Sequence, residues 1–157
     1  MYAQLTALNL SPKLPPSQPI PGQVISGVRT TAYTHTEADH LEYGRKSAVG
    51  TTLKCAQLRS AAADWSIYPL GTRFKIKGDP AVYVVDDYGS ALVGTKTIDI
   101  YQPTRAAMNK YGTRKVEIQV LSWGSRAKSL AVLKPRAHKA AHVRQMISKL
   151  QAKPRAA

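Results

Sequence analysis

The sequence holds 157 residues, with 23 Lys and Arg against 9 Asp and Glu, a formal net charge of +14, 43% hydrophobic residues and one cysteine. That is chain enough for one compact domain. No stretch approaches the ~20 apolar residues that cross a bilayer, and a lone Cys55 excludes an internal disulfide framework and a multi-thiolate metal site.

Residues 1–26 read as a leader or linker, since five of the ten prolines fall within 11–22 and favour extended chain over packed structure. The opening residues show neither a charged leader nor a long apolar core, so no signal peptide is visible there. From 27 to 124 the texture is that of a small all-β domain. Strand-like runs rich in β-branched and aromatic residues occupy 28–34, 72–77, 81–86, 97–101 and 115–123, separated by Gly, Pro and Asp. Residues 103–111 read as a helix, with Pro103 early and Gly112 as the stop. Five or six short strands and one short helix predict a closed barrel.

Residues 125–157 form a basic tail, helical in part, with apolar positions at 140, 143, 147 and 150. Positions 126–157 carry nine of the basic side chains and no acid, which leaves 14 basic against 9 acidic residues, a net +5, for the rest. The aromatic residues that interleave cations in a nucleic-acid platform are absent from this tail, so nucleic acid ranks last as a partner. An anionic envelope surface suits it better.

Because acids are scarce, their positions are informative. Glu37, Asp39 and Glu42 share a loop-like stretch, Asp79 lies in a Gly-Asp-Pro turn, and Glu117 alternates along a strand. Asp64, Asp86, Asp87 and Asp99 have less ordinary surroundings. Asp64 stands among small apolar residues before Pro69-Leu70-Gly71, and Asp87 ends an apolar run before Tyr88-Gly89. Asp99 lies between Ile98 and Ile100, so strand alternation delivers its carboxylate to the face opposite both isoleucines. An Asp before Gly is also an ordinary turn former. Tyr33, Thr34 and Tyr88 suit a sugar-lined cleft by their ring faces and hydroxyls. His35 with His40 and His138 with His142 read as surface histidines rather than metal pairs, and Cys55 as a small buried hydrophobe. No cofactor or metal is implied.

Taken together, these residues resemble the three-aspartate (3D) domain shared with membrane-bound lytic transglycosylase A and small stationary-phase peptidoglycan-cleaving proteins. The resemblance is carried in order by Thr31-Ala32-Tyr33-Thr34, by Ala63-Asp64 through Pro69-Leu70-Gly71-Thr72, by Asp87-Tyr88-Gly89-Ser90-Ala91-Leu92-Val93-Gly94, and by Ile98-Asp99-Ile100-Tyr101. Residues 103–116 look like the family's closing helix and strand. The resemblance implies a double-psi β-barrel and a lytic transglycosylase, which cleaves peptidoglycan glycan strands between N-acetylmuramic acid and N-acetylglucosamine with formation of a 1,6-anhydro sugar. Asp99 is then the acid/base, with Asp87 and Asp64 orienting it and the substrate. Such a substrate implies the bacterial cell envelope or periplasm.

This sequence departs from the family pattern in three places. Ser90 follows Gly89 where the family has paired glycines, Val93 stands where it has Lys, and Asp87 and Asp99 are 12 positions apart, one more than the pattern. Lys96 is the candidate replacement for the missing cation. These departures motivate the alternative of a non-catalytic, wall-binding barrel.

Overall fold

The computed structural model describes residues 22–36 and 44–152. Six strands close into a barrel: β1 (Val24–Tyr33), β2 (Leu58–Ala62), β3 (Arg73–Ile76), β4 (Val82–Asp87), β5 (Ile98–Tyr101) and β6 (Arg114–Ser122). Their order around the barrel is β1-β5-β2-β4-β3-β6. The pairs β1–β5 and β2–β4 are parallel and the other four antiparallel. Helix α1 (Arg105–Tyr111) precedes β6, and α2 (Arg126–Leu133), a 3-10 turn (Lys134–Arg136) and α3 (Ala141–Gln151) follow it. Among the described residues no helix is long and apolar enough to cross a membrane.

The closed six-stranded barrel is the fold the sequence predicts, and five strands fall on the five expected runs. Strand β2 is the addition. Its Leu-Arg-Ser-Ala-Ala lacks the branched and aromatic residues that mark strands, and its neighbours on both sides hold it in register. Strand β1 starts at Val24, paired to Gln119 of β6, so the barrel draws in the end of the stretch read as linker. Residues 1–21 of that stretch lie outside the described residues. Helix α1 is capped by the Thr104 side chain, which accepts from the Ala107 amide, so Pro103 sits before the cap rather than in the first turn. Gly112, at φ 62°, closes the helix as expected.

The barrel interior holds Phe74, Tyr83, Val85, Ile98, Ile100, Ile118 and Val120, all 1% exposed or less. At about 1.5–3 kcal/mol for each large apolar side chain removed from water, these residues dominate the stability of the fold. The C-terminal helices belong to the same cluster through Leu133, Val143, Met146 and Leu150. They are tied on at a glycine. A Cβ on Gly124 would collide with the Leu70 and Pro69 carbonyls, and the close approach lets the Ser125 amide reach Leu70 O at 2.9 Å. Ser129 Oγ accepts from the Leu70 amide in return, at 2.9 Å.

Two expectations for single residues need correction. Cys55 is exposed rather than buried, because it lies in an irregular stretch leading into β2 and makes only an isolated bridge with Arg59. His142 is no free surface histidine. Its ring lies 5.9 Å from that of Tyr88, and burial pushes its pKa below the usual imidazole value.

Candidate functional site

The strands that line the barrel core with Ile98, Ile100, Ala61 and Val85 carry a different set of residues on their other face. In register, Thr31 of β1 lies beside Asp99 of β5, Asp99 beside Ala62 of β2, and Ala62 beside Asp87 of β4. Laterally paired residues share a face, so Thr31, Asp99, Ala62 and Asp87 form one row across four strands. At about 4.8 Å per strand, the two aspartates stand about 10 Å apart at their backbones, on either side of a methyl group.

A bulge adds another acid to this face. The β2–β4 register runs Ala61 to Val85 and then Ala62 to Asp87, so one extra residue is accommodated at Asp86. Val85 points into the core, and the bulge brings both Asp86 and Asp87 to the outer face. Asp86 Oδ2 accepts from Ser60 Oγ at 2.7 Å and lies 3.7 Å from Lys54 Nζ, while its buried Oδ1 accepts no hydrogen bond among the described residues. Burial pushes the Asp86 carboxyl above its usual value, and Ser60 and Lys54 pull the other way.

Tyr33 is two residues beyond Thr31 and shares its face. Its hydroxyl donates to Asp87 Oδ2 at 3.1 Å. Burial first, then the charges of Asp87 and Asp86, hold the phenol well above its usual pKa, with Asp99 adding to the effect. Tyr33 therefore stays a neutral donor to Asp87, within the field of Asp86 and Asp99. Tyr101, two beyond Asp99 and paired with Tyr33, has its ring 5.6 Å from it and shares a 2.8 Å hydrogen bond with His35 Nδ1. Leu53 and Leu92 pack with Tyr33, Ala62 and Tyr101 into a small apolar cluster over the row.

The three aspartates expected to act together are held in different ways. Asp99 is half-buried, and its Oδ1 accepts from Thr31 Oγ1 at 2.8 Å. Asp87 is 5% exposed, and its Oδ1 accepts from both the Ala48 and the Tyr88 amides at 3.0 Å. Asp64 is fully buried. Its Oδ1 accepts from the amide and hydroxyl of Ser66, and its Oδ2 from the Gly94 amide at 2.8 Å. Its neighbours Ala63 and Trp65 both donate to the Asp87 carbonyl, so Asp64 adjoins the site by its backbone and fastens the loop after β4 with its side chain.

The residues expected to touch substrate are scattered. Tyr33 faces the carboxylates, and Thr34 is fully buried at the end of β1. Tyr88 turns away, edge-on to Trp65 at 5.0 Å and against His142. Gly89, Ser90 and Lys96 lie in the loop between β4 and β5, with Ser90 and Lys96 exposed. Among the described residues no non-glycine has positive φ, Ser90 included, so Ser90 replaces glycine without backbone strain. The left-handed position in this loop is Gly94, at φ 86°, where Asp64 grips it.

Sequence reasoning passed over Thr31, Asp86, His35 and Tyr101 as site residues. Period-two alternation from Asp99 and Tyr33 finds Tyr101, Thr31 and His35; nothing in the Asp-Asp pair announces the bulge. Among the described residues, no group of three or more His, Cys, Asp and Glu is placed to hold a metal.

No curated protein matches the chain. Residues 59–122, which span β2 to β6 with Asp64, Asp86, Asp87 and Asp99, match the family model of the 3D domain, a family associated with peptidoglycan.

Proposed function

We propose that the protein is a peptidoglycan lytic transglycosylase with Asp99 as its acid/base. The observation that carries this reading is a contrast in accessibility: Asp86 and Asp87 on the same face, and Asp64 adjoining it, are at most 5% exposed, whereas Asp99 is half-buried. A group that exchanges a proton with a polymeric substrate has to reach it. Asp99 protonates the glycosidic oxygen as the bond to the muramoyl C1 breaks. The muramoyl C6 hydroxyl attacks C1 and returns its proton to Asp99, so a 1,6-anhydro ring forms and no water is consumed. Thr31 fixes the carboxylate through Oδ1, and Asp86 and Asp87 lie on the same face of the barrel. Tyr33 and Tyr101 are buried against the row and hold it from below, and Lys96 offers a cation at the rim.

The basic C-terminal region supplies a second contact. Lys128, Lys134, Lys139 and Lys149 are exposed on α2, the 3-10 turn, the turn that follows it and α3, and make no ion pair among the described residues. They suit an anionic envelope surface, and the enzyme then works at the bacterial envelope. The test is digestion of purified peptidoglycan by the full chain, with mass spectrometry of the soluble products. Anhydromuropeptides that vanish with Asp99→Asn support the reading. Co-sedimentation with peptidoglycan and no soluble product replaces it with the wall-binding alternative.

A further inference from the structure

Arg136 lies outside the matched residues, at the end of the 3-10 turn after α2. Its guanidinium reaches back to the barrel in two directions. One nitrogen donates to the Ala48 carbonyl at 2.7 Å and the other to the Tyr88 hydroxyl at 3.3 Å. Ala48 and Tyr88 are also the two residues whose amides hold Asp87 Oδ1. One fork therefore grips both residues that grip the carboxylate.

The Ala48 side of this arrangement is a built turn. The Leu53 amide donates to Arg45 O, the Ser47 amide to Thr51 O, and Gly50, at φ 83°, closes the bend. One end of the turn puts Leu53 into the apolar cluster over the carboxylate row, and its tip puts the Ala48 amide on Asp87. Its polar attachment to the C-terminal helices is made by Arg136, beside the apolar packing of Val49. On the Tyr88 side, the ring packs edge-on to Trp65, whose Nε1 donates to the Asp87 carbonyl at 2.9 Å. Two other arginines hold the C-terminal region to itself: Arg126 reaches Leu150 O at 2.8 Å and Arg144 reaches Ala137 O at 2.8 Å.

We infer that Arg136 is a positioning residue for the carboxylate face, holding Ala48 and Tyr88 so that their amides fix Asp87 beside Asp99, and that the C-terminal helices are thereby part of the site. The planar guanidinium fork suits the task because it addresses two acceptors at a fixed angle, which a lysine ammonium on a flexible stem does not.

The test compares Arg136→Ala and Arg136→Lys in the full chain by amide hydrogen exchange. The Ser66 and Gly94 amides, which bond Asp64, serve as the internal reference. In Arg136→Ala the Ala48 and Tyr88 amides exchange at least ~10-fold faster while the reference amides keep their rates. Arg136→Lys falls between, since it can satisfy one acceptor. Equal acceleration of all four amides, or of none, overturns the inference. Should Arg136→Ala fail to fold, Tyr88→Phe, which removes only one acceptor of the fork, and Arg136→Lys carry the same comparison. Where activity is read, the inference rests on the proposed function, and Arg136→Ala lowers kcat with little change in KM. If the wild-type protein releases no product, the exchange comparison still decides the role of Arg136, so the two failures remain distinct.

Discussion

The two faces of β5 differ by one residue in phase and by everything in chemistry. Ile98 and Ile100 are fully buried in the barrel, and Asp99 and Tyr101 lie on the other side of the same four-residue strand. The same division runs through β2, where Ala61 faces the core and Ala62 the carboxylates, and through the end of β4, where Val85 points in and Asp86 and Asp87 point out. The inner face is interchangeable hydrocarbon whose value is volume and burial. The outer face is a set of specific partners, Thr31 to Asp99 and Tyr33 to Asp87. Substitutions inside are therefore expected to be read in stability, and substitutions outside in activity.

The largest expected effect is on the outer face. Asp99→Asn keeps the size of the side chain and an oxygen for Thr31 while removing the proton that is exchanged, so turnover falls about a hundred- to ten-thousand-fold with the melting temperature little changed. Steady-state release of anhydromuropeptides alongside a thermal melt checks both halves. A large drop in melting temperature would erase the contrast between the faces. One position further along, Ile100→Ala opens a cavity in the barrel and costs about 2–5 kcal/mol in a denaturant titration. Its residual folded fraction should retain the wild-type rate.

Asp64 sharpens the comparison because it belongs to neither face cleanly. In Asp64→Asn one carboxylate oxygen becomes an NH2 that meets the donors of Ser66 or Gly94, a loss of about 1–3 kcal/mol read by chemical denaturation. The expected result is a less stable protein whose kcat at low temperature stays within a few-fold of wild type. A selective loss of kcat at full stability would move Asp64 into the reacting group.

These contrasts also explain what was legible in the sequence. Strands built from branched and aromatic residues could be located because burial on a pleated surface selects those residues, and alternation around Asp99 fixed which way its carboxylate points. Strand β2 could not be read, because its small residues are demanded by the crowd on either side and not by its own propensity. Asp87, Asp99 and Tyr33 were legible as members of the candidate site from the resemblance and the scarcity of acids. The arrangement about Asp86 was hidden, since a one-residue register slip leaves no mark in composition. The dependence of Asp87 on Ala48 and Arg136 was hidden too, because it joins positions 39 and 49 residues away. The basic tail was read through its charge, yet Val143, Met146 and Leu150 pack it into the barrel's own cluster.

Asp86 gives the smallest effect and the most diagnostic one, since it is a carboxylate on the outer face that is buried as deeply as an inner residue. Its folded-state pKa is raised above the unfolded value of 3.8, chiefly by burial. For an acid shifted upward, the contribution to stability is fully present below the unfolded pKa and is lost as pH rises through the folded pKa. A charged Asp86 therefore costs the folded protein stability, with Lys54 and Ser60 offsetting part of the burial. Asp86→Asn keeps an acceptor for Ser60 and removes the charge, so it should melt slightly higher than wild type at pH 7, with the gap closing as pH falls toward 4. Paired thermal melts across that range measure it. A gap that widens on acidification would mean that the Lys54 ion pair outweighs burial, and would place Asp86 among the structural bonds instead of among the charges surrounding Asp99.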